Sequence, residues 1–150
     1  AAMDAKEPVG KDSFTATSDQ LVKCGEDGAR YMESWGDSIV ADHSVTNALC
    51  EKVGITRKAL RIDSQAKYGS LSRGDAHIYL RFPPKTYREK VWDHAAGAII
   101  ISESGGVISD AAGVPLEFGK GRFLNINGGI VASATPELHE QLLKAIADLR

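Results

Sequence analysis

VWDHAAGAIIISESGG, residues 91–106, decides how this chain is read. A tryptophan, an aspartate and a run of small and branched apolar residues are followed by two glycines that end the run. A helix beginning near Trp92 puts Asp93 in its first turn, where unpaired N–H groups and the positive end of the helix dipole favour a carboxylate. An aspartate there serves as a cap or dipole partner worth about 0.3–2 kcal/mol, with no ligand needed. Ala95, Ala96 and Gly97 remove bulk just after the acid, so another backbone or a bound group can approach closely. One helix end carrying a carboxylate and free N–H groups also has the shape to hold a divalent cation and the phosphate that it neutralises.

Outward from this helix the elements alternate. Upstream, AHIYLRF puts Ala76, Ile78, Leu80 and Phe82 on one face of a strand and His77, Tyr79 and Arg81 on the other, with Pro83 and Pro84 ending it. Before it, ALRID, residues 59–63, reads as a strand running into a helix over SQAKYGSLSRG that Gly74 ends. Earlier still, ARYMESWG is short and amphipathic, and ADHSVTNALCEKVG reads as a helix carrying Val45, Leu49 and Val53, capped by Ser44 or Thr46 and closed by Gly54. Downstream, VISDAAGVPLEF reads as a hairpin turning at Ala112 and Gly113, and GGIVASA as a strand. Thr135 as N-cap and Pro136 at the first helical position open a last helix with Leu138, Leu142, Ala145, Ile146 and Leu149 on one face. Residues 1–28 show little periodicity and read as an irregular lead-in. The pattern predicts one layered α/β domain over residues 29–150.

Composition narrows the function classes. With 150 residues, 43% hydrophobic and 25% charged, the chain supports one good core. A formal charge of −2 gives no bulk attraction to duplex DNA or RNA or to an anionic membrane, so any bound anion must be held locally. No apolar stretch reaches the roughly 20 residues of a membrane helix. The start, AAMDAKEPVGKDSF, lacks the apolar core of a secretory signal and is compatible with a truncation point. Cys24 and Cys50 have neither CxxC spacing nor further cysteines, and read as reduced thiols of an intracellular protein.

WDHAAG, the apolar run, SESGG and Asp110 together resemble the second signature of the lithium-sensitive, magnesium-dependent phosphatase superfamily that includes the inositol monophosphatases. RIDSQAKYGSLSRGDAHIYLRFP, YREKVWDHAAG and PLEFGKGR resemble one branch of it, the 3′(2′),5′-bisphosphate nucleotidases, and the likeness runs from about residue 29 to 150. The resemblance implies the C-terminal half of a layered α/β fold. It also implies removal of the 3′-phosphate of adenosine 3′,5′-bisphosphate to give AMP, with 3′-phosphoadenylyl sulfate as a related substrate. By the same resemblance Asp93 ligates Mg2+ and lies against the substrate, while His43, Ser64, Lys67 and Arg81 match nucleotide-contacting positions. Each has a plainer reading: Ser64 as a cap, Lys67 and Arg81 as solvated cations, His43 as a surface residue.

The likeness has gaps. Relatives often carry HSSH where this chain has VADH, so Val40 takes the first position. The Glu-Glu element and the DPIDGT-like signature that supply the family's other metal ligands do not occur, GEDG at 25–28 being the nearest acidic string. No catalytic residue is therefore assigned here, and an N-terminal half of the same enzyme is the expected partner. A non-catalytic adenine-nucleotide-binding module and an inositol polyphosphate 1-phosphatase are the rival readings. His77, His94 and His139 receive no role, Asp63 stands as a second group near the site, and Asp110 is expected to serve a turn.

Overall fold

The structure, a computed structural model, describes residues 28–35 and 42–149. The irregular lead-in, Cys24, the GEDG string and Val40 lie outside the described residues, apart from Gly28 at the end of that string. Among the described residues, nine elements mix strands and helices as expected of an α/β domain: β1 (Tyr31–Glu33), α1 (His43–Val53), β2 (Leu60–Arg61), α2 (Ala66–Ser72), β3 (Ile78–Arg81), α3 (Val91–Glu103), β4 (Val107–Asp110), β5 (Ile130–Ser133) and α4 (Pro136–Ala147). The strands form one mixed sheet in the order β2-β1-β3-β5-β4. β1 runs parallel to both β2 and β3, whereas β5 is antiparallel to β3 and β4. The carboxyl ends of β1, β2, β3 and β4 therefore share one edge, where open α/β sheets place ligands.

Helices cover both faces. Leu49 of α1 and Leu138, Leu142 and Ile146 of α4 pack with Ile78, Leu80, Phe82 and Val131. Tyr68 and Leu71 of α2 and Ile101 of α3 pack on the other face with Met32, Tyr79 and Ala132. β3 divides its side chains between the layers as a pleated strand must, but both faces are interior: all four of its residues are buried. The expected polar face of this strand is thus a covered one. Ala76, expected beside Ile78, belongs instead to the Tyr68–Tyr79 cluster, because it precedes the strand and escapes its alternation.

Local chemistry sets the ends. α4 begins as the sequence predicts, with the Thr135 hydroxyl accepting from the Leu138 N–H and Pro136 following it. Leu149 falls beyond that helix and is exposed. α1 is capped by Asp42 rather than by Ser44 or Thr46, its carboxylate accepting from the Ser44 N–H and hydroxyl at 2.9 and 2.6 Å. A carboxylate one position ahead of the helix outcompetes a hydroxyl already inside it. Gly54 closes α1 at φ 76°, and Val45, expected in the core, is exposed. ARYMESWG holds the buried strand β1, paired on both sides.

The expected hairpin at 107–118 does not form a second strand; β4 pairs with β5. Its turn does form, and Asp110 serves it as expected. The Asp110 carboxylate accepts from the N–H groups of Ala112 and Val114 and, across the loop, from the Asn127 main chain and side chain. Backbone donors satisfied by this one side chain are not available to extend a ladder.

Candidate functional site

At the shared strand edge, on the α2–α3 side of the sheet, the chain leaves β2 through Ile62, Asp63 and Ser64. Ser64 takes φ 67°, the left-handed conformation, and is the only non-glycine among the described residues with positive φ. Such a conformation costs a serine about 1–2 kcal/mol and persists only where its surroundings impose it. Lys67 imposes it. Its ammonium, 1% exposed, donates to the carbonyls of Ile62 and Ser64 at 2.8 Å each and to the Ser34 hydroxyl at 3.2 Å. The Ser64 hydroxyl accepts from the Ala66 N–H at 3.2 Å and stays exposed. Three acceptors match the three N–H bonds of an ammonium, so Lys67 braces the turn that presents Ser64, with its charge inside the site. Burial, and after it the nearby Arg81 guanidinium, pulls Lys67 down to about 8.

Arg81, at the end of β3, is buried among aromatic rings and paired. Its Nε and Nη2 donate to the two oxygens of Glu89 at 2.6 and 2.9 Å. Glu89 is 1% exposed and also bonds His94 Nε2 at 2.8 Å, while His94 Nδ1 meets the Tyr68 hydroxyl at 2.7 Å. Burial would raise the Glu89 carboxyl, but the hydrogen bonds from His94 and Arg81 overcome it and hold the group below its ordinary value. Arg81 in turn is raised, burial opposing and Glu89 prevailing.

Asp93 stands in the first turn of α3, as expected, and is half-buried. Among the described residues nothing hydrogen-bonds or ion-pairs with its carboxylate. Its charge reaches Tyr79, whose hydroxyl is pushed up to about 12 first by burial and then by Glu89 and Asp93 against the pull of Arg81. Ser64, Lys67, Arg81 and Asp93 therefore lie on one side of the sheet around Tyr79, with the Lys67 ammonium 5.4 Å from that ring.

His43 is placed apart from them. It is buried at the start of α1, with Nε2 3.5 Å from Glu33 Oε2, and Glu33 also receives Arg61 at 3.0 Å. Tyr31 packs in the α1–α4 core and Met32 in the other, so Glu33, next along the strand, faces the α1 side. The sheet thus separates His43 from the other four. Asp63 accepts from the Trp35 N–H at 3.2 Å, and His77 Nδ1 from the Arg30 N–H at 2.9 Å. His139 sits buried between the hydroxyls of Ser109 and Ser133, where burial lowers it. Glu103 is exposed.

Glu89, His94 and Tyr68 escaped the reading of the sequence. A strand arginine covered by helices needs a carboxylate, and YREK supplies one eight residues on; that was the available signal for Glu89. Among the described residues no three His, Cys, Asp or Glu side chains gather to hold a metal ion.

Comparison with known proteins bears on the family and the fold. The family model of the inositol monophosphatase family matches residues 17–150. A rice protein named 3′(2′),5′-bisphosphate nucleotidase is 52% identical over 118 residues, 77% of this chain and 33% of its own. A protein of the same name from Schizosaccharomyces pombe is 46% identical over 115 residues, 74% of this chain and 32% of its own. The chain thus spans about a third of the length of these curated relatives. In fold it is similar to inositol monophosphatase II of Staphylococcus aureus, at a TM-score of 0.60 and 19% identity over 86% of this chain and 45% of that one. An Anabaena inositol monophosphatase gives 0.54 and 19% over 80% and 44%. The span matched by the family model and the identity to these relatives place the chain in the inositol monophosphatase family.

Proposed function

We propose that this chain is the nucleotide-pocket part of a magnesium-dependent phosphohydrolase that removes the 3′-phosphate of adenosine 3′,5′-bisphosphate to give AMP, with 3′-phosphoadenylyl sulfate as a related substrate. The observation that carries the reading is the half-buried Asp93 carboxylate, without a hydrogen-bond or ion-pair partner among the described residues, on the same side of the sheet as Ser64, Lys67 and Arg81. Two cations and a strained serine suit phosphate oxygens, and the carboxylate beside them suits the metal that such oxygens also bind. The curated relatives named for this activity favour a nucleotide over an inositol phosphate.

Asp93 would hold Mg2+, which when bound polarises the phosphate and lowers the pKa of a water nucleophile. Arg81 has two N–H bonds left on Nη1 after binding Glu89, enough to orient a phosphate oxygen. Lys67 adds positive potential and holds the Ser64 turn open to solvent. The remaining metal ligands are expected from outside the described residues, which include no cluster of them. His43 enters only if the nucleotide extends past the sheet edge to the α1 side.

Calorimetric titration with adenosine 3′,5′-bisphosphate, paired with a colorimetric phosphate assay in excess magnesium, tests this. The expected result is binding that Arg81→Gln weakens, with negligible phosphate release by this chain alone. Brisk, lithium-inhibited release would show that the metal ligands are already present. Binding indifferent to magnesium in a protein carrying all its ligands would favour the non-catalytic module. In such a protein Asp93→Asn is expected to abolish turnover at little cost in stability, because among the described residues the carboxylate makes no capping bond and only its favourable interaction with the helix dipole is lost. Near-normal turnover would leave Asp93 only the role of a first-turn acid that stabilises the helix dipole.

A further inference from the structure

The Arg81–Glu89–His94–Tyr68 chain ties together the three elements that bear the site, and it is embedded in the interior beside Met32, Tyr79 and Ala132. Tyr68 is on α2 next to Lys67, Arg81 ends β3, and His94 follows Asp93 on α3. Fold stability alone does not account for such a chain, because buried ion pairs are often no better than well-packed apolar residues of the same volume. Its geometry fits orientation instead. A free arginine loses about 2 kcal/mol of rotamer entropy when a ligand fixes it; a guanidinium already forked onto a carboxylate has little left to lose.

The support of that carboxylate is stiff. The Glu89 carbonyl accepts from the Leu124 N–H at 2.9 Å and the Val91 N–H donates to the Arg122 carbonyl at 3.0 Å, with Lys90 bridged to Phe123 between them. Both carboxylate oxygens are occupied, and the tautomer of His94 that donates from Nε2 and accepts the Tyr68 hydroxyl at Nδ1 satisfies every bond in the chain. Resting on the nucleotide reading above, we propose that Glu89 is a positioning residue: touching no ligand, it fixes the Arg81 guanidinium and, through His94, the first turn of α3 that carries Asp93, so that cation and carboxylate face one phosphate at a set separation.

The test is a double-mutant cycle on adenosine 3′,5′-bisphosphate affinity by calorimetry, with thermal unfolding followed in parallel. Glu89→Gln cannot accept both guanidinium donors and is expected to weaken binding by about tenfold or more, the worth of a charge-assisted bond. In the Arg81→Lys background, where no fork exists to orient, the same change is expected to alter affinity by less than about twofold. Equal weakening in both backgrounds, or wild-type affinity in a folded Glu89→Gln, would overturn the proposal. If Glu89→Gln does not fold, Glu89→Asp keeps the charge but draws it back by one methylene. It is expected to fold and to bind more weakly, and unchanged affinity would again overturn the proposal. A purely structural glutamate would lower the melting temperature in every background and leave the affinity of the folded fraction alone. Absence of binding to the wild-type chain would instead remove the nucleotide reading, and this inference with it.

Discussion

The two faces of one short strand show how the molecule divides its work. From β3, Ile78 and Leu80 enter a layer of hydrocarbon closed by Leu49, Leu138, Leu142 and Ile146. From the same strand Tyr79 and Arg81 enter a layer where α2 and α3 bury a lysine, an arginine, a glutamate and a histidine. Both layers exclude water, but by different physics. The first gains from area removed from water, at about 25 cal/mol per Å2, and tolerates volume-conserving exchange. The second gains only where every charge meets a partner of the right geometry, and it fails sharply when one partner is removed. A site that must present a cation and a carboxylate at fixed separation is better built from the second kind of layer.

That contrast predicts its own largest effects. Glu89→Ala leaves Arg81 buried without its carboxylate and is expected to cost about 3–5 kcal/mol in denaturant unfolding. Leu142→Ala, on the hydrocarbon face, is expected to cost a comparable 2–5 kcal/mol through transfer and cavity terms. The two should separate in nucleotide titration, where Leu142→Ala leaves the affinity of the folded fraction unchanged and Glu89→Ala removes it. Equal affinity losses from both would mean that the layers are not independent.

A smaller effect is expected where α2 and α3 touch. A Cβ built on Gly97 would lie 2.1 Å from Tyr68 Cδ2, in a ring that is 1% exposed and has nowhere to go. Gly97→Ala is therefore expected to destabilise by about 1–3 kcal/mol, against the roughly 1 kcal/mol that alanine would gain in an unobstructed helix. The displaced Tyr68 hydroxyl would lose His94, so affinity should fall along with stability. A stabilised variant would show that the close approach of these helices is not needed.

Much of this fold was legible because its rules are local. Thr135–Pro136 starts a helix by satisfying a donor and presetting φ, and the alternation of β3 follows from the pleat. The hairpin at Asp110 was misread because the same side chain that makes the turn also takes the donors that a ladder would use. Asp93 was legible as the head of an apolar helix, and Ser64, Lys67 and Arg81 through their motifs. That Arg81 is buried against Glu89, that Lys67 spends its three donors on the chain itself, and that His43 stands across the sheet are consequences of packing between elements distant in sequence. No periodicity encodes them.

Proton linkage distinguishes the faces further. Lys67 is pulled from 10.5 to about 8 in the folded protein, so it sheds its proton before the unfolded chain does. Between those values the unfolded state binds more protons, and stability relative to Lys67→Met should rise with pH from about 8 to 10.5. On the proposed reading, nucleotide affinity should move the opposite way over the same range, because the buried ammonium would act on a phosphate through its potential even with its three donors spent on the chain. Unfolding and titration series at constant ionic strength would check both slopes, and parallel slopes would mean that the Lys67 charge does not reach the ligand.

The smallest effect is expected at Ser64. Glycine relieves the strain of φ 67°, worth about 1–2 kcal/mol, but loosens the unfolded chain by about 0.5–1 kcal/mol and gives up the bond to the Ala66 N–H. These terms nearly cancel, so Ser64→Gly should change unfolding free energy by no more than about 0.5 kcal/mol. Ser64→Val, β-branched in a left-handed conformation, should cost distinctly more. If the exposed hydroxyl contacts the phosphate, Ser64→Gly will lose affinity while keeping stability, a split that no residue of the hydrocarbon face can give. Full affinity in Ser64→Gly would reduce the turn to a frame, with the carbonyl that Lys67 grips as its one necessary feature.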